Sequence, residues 1–287
     1  MPIGEARRRA IEKVFARQGP DGQWTDGKRR PGFEVYLPKY KATLWALVTL
    51  ADLKCPPDDE RAGRALQAVF DLNFRPAAGV FGWSESAYGS HEPSPCFNGN
   101  IIYVAAYFGR ALAPEIESTL QTFARFQRFD DGDFRTPLEF PYSGDRDACY
   151  SSHTCYWGVC RLLKGISFIP RPSRTRYTQR LLERCVDFVL LHRVCFSSHR
   201  PEDIIGKWID RLTFPNMYSS DYLELLWLLK REGVRDPRIG PALQLLESAR
   251  NPDGTWNLER PVNNLVYFGG KDRPNAFVTE RALEVLG

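Results

Sequence analysis

The densest group of chemically active side chains in the sequence lies between residues 145 and 157. It includes the carboxylates of Asp145 and Asp147, the thiol of Cys149 and the imidazole of His153. Paired carboxylates, a thiol and an imidazole are the side chains that carry acid–base and nucleophilic chemistry. Arg146 stands between the two acids, and a nearby cation favours the ionised form of a carboxylate.

The same group offers ligands for a metal ion. Carboxylate, thiolate and imidazole all bind zinc well, and the set Asp147, Cys149 and His153 leaves a fourth coordination position open for substrate or water. Cys149 and His153 share a face if both are helical. Ser151 or Ser152, however, is a good helix N-cap, which places Cys149 outside the helix. We favour the simpler interpretation, a buried thiol and a hydrogen-bonded histidine, and keep zinc as the alternative.

A second polar group opens another predicted helix, at Cys96, Asn98 and Asn100. A thiolate near a helix N-terminus has a lowered pKa, so Cys96 or Cys149 could form a nucleophile and base pair with His153. The alternative, which we favour, is a structural thiol at a repeated position of the fold.

Aromatic residues are the stronger signal for ligand binding. Several of them fall on apolar helical segments or on the turns near them, and an aromatic box would bind a flat or branched apolar ligand and steady a carbocation. Asp221 precedes one of these segments, where we expect it to cap a helix first and to serve as a cavity acid second. The predicted substrate-binding set is Trp45, Trp83, Cys96, Asn98, Asn100, Tyr103, Tyr156, Trp208, Asp221 and Tyr222.

The elements that must position these residues are two kinds of predicted helix. Segments 43–51, 101–108 and 222–229 are apolar nearly all round, which is typical of buried helices. Segments 62–74, 114–126, 176–192 and 237–249 instead set apolar residues at helical spacing among charged ones, which predicts outer helices with one buried face.

A repeated turn separates these helices. The string Gln-Gly-Pro-Asp-Gly-Gln-Trp at 18–24 recurs as 127–134 and 251–256, with a weaker copy at 79–83. Asp-Gly is turn chemistry, because glycine accepts a positive φ and the Asp side chain bonds its own backbone. We predict a single all-α domain over residues 1–287, an α/α-toroid of about five helical-hairpin repeats. An open solenoid would show the same repeat, so closure of the ring is an inference.

Composition limits the class of protein. The net charge of +4 is too small to indicate nucleic-acid binding, and we expect no such partner. No apolar run reaches the roughly 18 residues of a membrane span, and the start lacks a signal-peptide pattern. Seven cysteines, an odd number, favour reduced thiols. These features together predict a cytoplasmic protein.

The repeated turns resemble those of the terpenoid cyclases and protein prenyltransferases, whose toroids are built from hairpins of one inner and one outer helix. In the cyclases that begin by protonation, an Asp-x-Asp-Asp run supplies a carboxylic acid that burial and a neighbouring carboxylate keep protonated, and this acid delivers a proton to an alkene or an epoxide. Asp145 and Asp147 match its first and third positions, and Ala148 stands where the last acid would be. The resemblance implies that Asp145 or Asp147 acts as the acid, with help from His153. The segments 95–100 and 214–218 are similar to those of small stand-alone squalene-cyclase-like or prenyltransferase-like chains.

The prenyltransferase zinc site provides a second likeness. That family carries Asp-x-Cys-Tyr and His-Thr-Cys-Tyr on separate helices, and segments 147–150 and 153–156 reproduce both strings. Because they adjoin here, at most one can occupy its family position.

The resemblance implies a terpenoid-cyclase-like enzyme that acts on a hydrophobic, isoprenoid-like small molecule by acid-initiated cyclisation or isomerisation. One alternative is zinc- or thiol-dependent transfer. The other is a non-catalytic toroid that binds a hydrophobic ligand or a partner protein. We expect no cofactor, apart from zinc in the transfer alternative, and the sequence does not indicate an oligomeric state.

Overall fold

The computed structural model of this chain describes residues 2–28, 30, 32–82, 93–132 and 153–287. Two short antiparallel strand pairs lie among them, β1 (Phe74–Arg75) with β2 (Val80–Phe81) and β3 (Asn257–Leu258) with β4 (Arg273–Pro274). The other elements of this part of the chain are helical, as predicted. The ten α-helices that it contains are α1 (Ile3–Phe15), α2 (Thr43–Asp52), α3 (Glu60–Asn73), α4 (Pro95–Tyr107), α5 (Pro114–Phe126), α6 (Tyr156–Ser167), α7 (Arg176–Leu191), α8 (Tyr222–Arg231), α9 (Gly240–Ser248) and α10 (Ala276–Leu286).

Burial separates inner from outer helices. Every residue of α2 is buried, and α4, α6 and α8 are buried nearly all round. In α3, α5 and α7 the buried residues recur at helical spacing and leave one charged face to solvent. Each inner helix follows an outer one along the chain, which is the alternation that the apolar and two-faced segments predict.

The Asp-Gly turns lock an outer helix to the inner helix that follows it. The Trp24 indole N–H donates to the Val14 carbonyl at 2.8 Å, and the Trp24 backbone N–H donates to the Thr43 hydroxyl at 3.1 Å. Trp256 makes the equivalent bonds to Leu246 and Thr279, at 2.8 and 2.9 Å. In both turns the aromatic residue therefore packs back onto the preceding unit.

The inner helices α4 and α6 run side by side in the same direction. Cys96 and Cys155, at the starts of the two helices, have sulfur atoms 3.9 Å apart, and the rings of Tyr103 and Phe168, near their ends, are 4.7 Å apart. Glycine allows this approach, because a Cβ on Gly99 would lie 2.4 Å from the carbonyl carbon of Arg161. The amino ends of these helices therefore point to one mouth of the ring and the carboxyl ends to the other.

Contacts between the last helix and the first two close the ring. Arg7 on α1 pairs with Glu280 on α10 at 2.7 Å, and Lys54, after α2, pairs with Glu284 at 2.9 Å. Deeper inside, the Asn264 side chain donates to the Thr49 hydroxyl at 2.9 Å. The described helices thus form an α/α-toroid, while the predicted count of about five repeats stays a prediction. None of the helices described is both long and apolar enough to cross a membrane.

Candidate functional site

A buried ionic network occupies the place where the inner helices meet. Asp52 ends α2, Arg161 and Lys164 lie on α6, and Glu224 lies on α8. Lys164 Nζ is 2.7 Å from Asp52 Oδ1 and 2.8 Å from Glu224 Oε1, and Arg161 pairs with the other oxygen of Glu224. Two cations therefore face two anions inside the protein, which limits the cost of burying any one of them.

Further partners hold Asp52 in its ionised form. The Tyr103 hydroxyl donates to Asp52 Oδ1 at 2.8 Å, the backbone N–H of Asn216 donates to Oδ2 at 3.2 Å, and Arg281 Nη2 lies 3.8 Å from Oδ2. Burial alone would raise the pKa of Asp52, but the charges of Lys164 and Arg281 outweigh it and hold that pKa below its ordinary value. Asp52 is therefore a carboxylate at neutral pH and has no proton to give.

A cavity of about 210 Å³ lies beside this network, among the carboxyl ends of α2, α4, α6 and α8 and one face of α10. Its charged lining belongs to Asp52, Lys54, Arg231, Glu280, Arg281 and Glu284. Its aromatic lining belongs to Tyr103, Tyr107, Phe168, Phe214, Trp227 and Phe277. The site is therefore amphipathic, with aromatic walls and a charged floor and rim, where the sequence predicted an apolar box.

Cations of the chain already lie over several of these rings. Lys164 Nζ is 4.1 Å from the ring centre of Tyr103, Arg231 Cζ is 4.3 Å from that of Phe168, and Arg281 Cζ is 5.0 Å from that of Trp227. A positive charge in the cavity would meet ring faces that these cations already engage. The lining carries three carboxylates and three cations, so it favours neither sign of charge. The walls thus suit an uncharged ligand.

The rim carboxylate of Glu280 is also held ionised. Burial would raise the pKa of Glu280, but hydrogen bonds and charge from Arg7 and Lys54 bring it below its ordinary value. Like Asp52, Glu280 is unsuited to protonating a substrate.

Four of the predicted site residues lie outside the part of the chain that the structure describes. Asp145, Asp147, Cys149 and Trp83 are outside the described residues. Their roles as acid, zinc ligand and cavity wall remain predictions. His153 is described, and its imidazole lies beside Asp131 and His199.

Most of the other predicted binding residues are packed into the core. The Trp45 indole donates to the Tyr36 carbonyl at 2.7 Å, and the Tyr156 hydroxyl donates to the Val194 carbonyl at 2.7 Å. Tyr222 is likewise fully buried. These three rings are absent from the lining of the cavity described above. Trp208 lies outside it too, with 45% of its surface exposed.

The two predicted asparagines bond to backbone. The Asn98 amide donates to the Phe81 carbonyl at 3.0 Å, while its oxygen accepts from the Phe81 N–H at 2.9 Å. Asn100 donates to the carbonyl of Cys96 at 3.1 Å. Both side chains therefore tie α4 to itself or to a neighbouring segment, and the fully buried Cys96 lies beside them.

Asp221 caps α8, as predicted. Its Oδ1 accepts from the Glu224 N–H at 2.8 Å and its Oδ2 accepts from the Thr213 N–H at 2.6 Å. Burial raises the pKa of Asp221 to about 6, against the backbone hydrogen bonds from Glu224 and Thr213, which lower it. Because both oxygens face backbone and the residue does not line the cavity, its role in the structure is positional.

Of the predicted substrate-binding residues, Tyr103 lines the cavity, and its hydroxyl donates a hydrogen bond to Asp52. Sequence reasoning missed the four network residues and Arg281. A signal for them exists, since Asp52, Arg161, Lys164 and Glu224 are charged residues inside otherwise apolar helical segments. Charges at such positions are rarely left unpaired, so they mark a buried network.

No protein-family model matches the sequence, and no curated protein sequence matches it. Solved structures similar to the chain include a polysaccharide lyase, with 13% identity and a TM-score of 0.48 over 99% of this chain and 85% of that one. A glycosidase variant shows 11% identity and a TM-score of 0.42 over 99% and 95%. The type II terpene cyclase MstE from Scytonema, without ligand, shows 16% identity and a TM-score of 0.40 over 99% and 96%. These proteins have α/α-toroid folds. Similarity at this level says nothing about substrate or reaction.

Proposed function

We propose that this chain binds a small hydrophobic molecule, uncharged and isoprenoid-like in shape, in the cavity at the carboxyl ends of α2, α4, α6 and α8. The observation that carries the proposal is the cavity itself, since six aromatic rings converge on one space whose floor is fixed by a paired ionic network. Convergent apolar walls with a few placed polar groups are the usual form of a small-molecule site.

The size of the cavity limits the ligand. Sites that enclose drug-sized molecules measure roughly 300–1,000 Å³, and this one measures about 210 Å³. The ligand is therefore either short, on the scale of a ten-carbon isoprenoid, or leaves part of its length outside the rim.

The chemistry of the described cavity favours binding over proton-initiated cyclisation. Asp52 and Glu280 are held as carboxylates, and cations lie over Tyr103, Phe168 and Trp227. A cyclisation would need a protonated acid and ring faces free to steady a carbocation. Acid-initiated cyclisation by Asp145 or Asp147 remains a prediction, because those residues are outside the described part.

The test compares two tryptophans. Calorimetric titration with geraniol should show saturable binding to the wild-type protein, and Trp227→Ala should weaken it at least tenfold because a cavity wall is lost. Trp208→Ala removes the same indole from a partly exposed position outside the cavity and should bind as wild type. Thermal melting of both variants checks that they are folded.

A matched ligand tests the charge preference. Geranylamine has the same apolar body as geraniol but is cationic at neutral pH, so it should bind more weakly than the alcohol. Absence of saturable geraniol binding, or an equal loss in both tryptophan variants, would contradict the proposed site. Tighter binding of the amine would contradict the stated ligand charge.

A further inference from the structure

Three side chains of types that can bind a metal ion meet near the amino end of α6, although they are distant from one another in the sequence. They are Asp131, His153 and His199, and one ligand atom of each lies within 4.8 Å of the others. None of them lines the aromatic cavity described above. This cluster is therefore separate from the proposed ligand site.

Backbone pairing holds two of the three residues together. Asp131 and His153 form an antiparallel β-bridge. Next to it, the Thr154 N–H donates to the Asp130 carbonyl at 2.9 Å and the Thr154 hydroxyl accepts from the Asp130 N–H at 2.8 Å. Main-chain contacts thus position two potential ligands before any metal ion binds.

Side-chain contacts bring in the third. His199 Nε2 lies 2.9 Å from the Asp131 carbonyl and 3.3 Å from the carboxylate oxygen Oδ2. The Ser198 hydroxyl donates to the same carboxylate. These contacts orient the Asp131 carboxylate toward the imidazoles, in the way that outer-shell hydrogen bonds orient metal ligands.

A glycine leaves space between the two rings. A Cβ on Gly132 would lie 3.3 Å from His153 Nε2 and 3.8 Å from His199 Nε2, so both nitrogens face the same small volume. The φ of +120° at Gly132 is one that other residues rarely adopt. The residue that permits this backbone thus also keeps the space between the imidazoles open.

We propose that Asp131, His153 and His199 bind a divalent transition-metal ion, with zinc as the ion that fits the ligands best. Two imidazoles and a carboxylate suit zinc and its first-row neighbours, whereas magnesium and calcium prefer oxygen ligands alone. Three protein ligands leave a position for water or an exogenous ligand, and the exposure of His153 and His199 gives solvent access to it.

Binding requires a small rearrangement. Ligand atoms around a tetrahedral zinc ion, with bonds of about 2.0–2.1 Å, lie roughly 3.4 Å apart. In this structure the three ligand atoms lie within 4.8 Å of one another, so they must move closer together. His199 Nε2 must exchange its contact with the Asp131 carbonyl for the metal. Its side chain is 60% exposed and can make this movement without disturbing the core.

The test measures metal binding directly, on tag-free full-length protein dialysed against a chelator. Titration with zinc should show one ion per chain, and cobalt should give the visible absorption bands of a low-coordinate N/O site. Magnesium should not bind. His199→Ala, His153→Ala and Asp131→Ala should each weaken zinc binding at least a hundredfold.

Neighbouring residues supply matched controls. Asp130→Ala removes a carboxylate that pairs with Arg128, and Arg200→Ala removes an exposed side chain paired with Asp203. Both should bind zinc as wild type. Melting temperatures without metal show that each variant is folded, and zinc should raise the melting temperature of the wild type but not of His199→Ala.

Absence of stoichiometric zinc from the titration would overturn the proposal. Zinc binding that persists within threefold in folded His199→Ala would also overturn it, because the ion would then lie elsewhere, for example on cysteine thiols.

Discussion

Charged residues within apolar helical segments define the interior of this protein. Lys164 sits between Asp52 and Glu224, and Arg161 sits one helical turn earlier on the same face. Removing one member would leave a buried charge without its partner, which is far more costly than losing an exposed ion pair. The sequence shows that these residues are charged, but which of them form ion pairs depends on how α2, α6 and α8 pack together.

Asp221 shows that a buried acid need not be catalytic. Its capping role was predictable, because a carboxylate just before an apolar helix can accept from the free N–H groups of the first turn. Its raised pKa was not predictable, since that depends on burial by segments distant in the sequence.

The stability of the protein should therefore depend on pH through Asp221. Its pKa rises from an ordinary 3.8 to about 6 on folding, which is worth about 3 kcal/mol. The folded state binds the Asp221 proton more tightly than the unfolded state does. This contribution to the free energy of unfolding is therefore fully present below pH 4 and is lost as the pH rises through 6. Asp221→Asn stays neutral and lacks this dependence.

Chemical denaturation of both proteins from pH 4 to 7 checks the expectation. The unfolding free energy of the wild type minus that of Asp221→Asn should fall across this range, by up to about 3 kcal/mol. Titrating groups that do not interact with Asp221 cancel in the difference. A difference that is flat or rises with pH would show that Asp221 is ionised in the folded protein.

At the scale of elements, the helices themselves were the most predictable feature. The apolar and two-faced segments correspond to α2, α4 and α8 and to α3, α5, α7 and α9, with boundaries shifted by a few residues. Hydrophobic periodicity is local, so one sequence suffices to read it. The approach of α4 to α6 is not local, and no periodicity indicates that Gly99 faces Arg161.

Two helical glycines test that packing. Gly99→Ala places a methyl group 2.4 Å from the carbonyl carbon of Arg161, so the helices must separate, and we expect a loss of about 2–3 kcal/mol. Gly63, on the exposed face of α3, has no atom within 4 Å of an added Cβ. Gly63→Ala should therefore gain about 0.5–1 kcal/mol, because alanine is the better helix former.

Denaturation curves of the two variants at one pH give the comparison. Similar free energies of unfolding for Gly99→Ala and the wild type would mean that α4 and α6 do not approach as closely as described.

At the scale of the whole molecule, the sequence indicated the repeat and left closure open. The turns at Trp24 and Trp256 make matching hydrogen bonds, which accounts for their similar sequences. Closure instead depends on pairs such as Arg7 with Glu280, whose partners lie at opposite ends of the chain. A pattern search along one sequence has no means of finding them.

Closure also determines what the ring contains. Apolar inner helices predict an apolar cavity at the centre of the ring. The few charged residues of these helices, Asp52, Arg161, Lys164 and Glu224, are instead buried inside the ring. Among the described residues, a cavity lies toward the carboxyl ends of α2, α4, α6 and α8, with rings from α4, α8 and α10 around it. The proposed function requires that this cavity is open to a ligand.

A crystal structure of the protein grown with geraniol tests this most directly. We expect density for the isoprenoid chain between Tyr103, Trp227 and Phe277, with the hydroxyl toward the charged floor at Arg281. A cavity filled by the protein's own side chains, or geraniol bound only elsewhere, would contradict it.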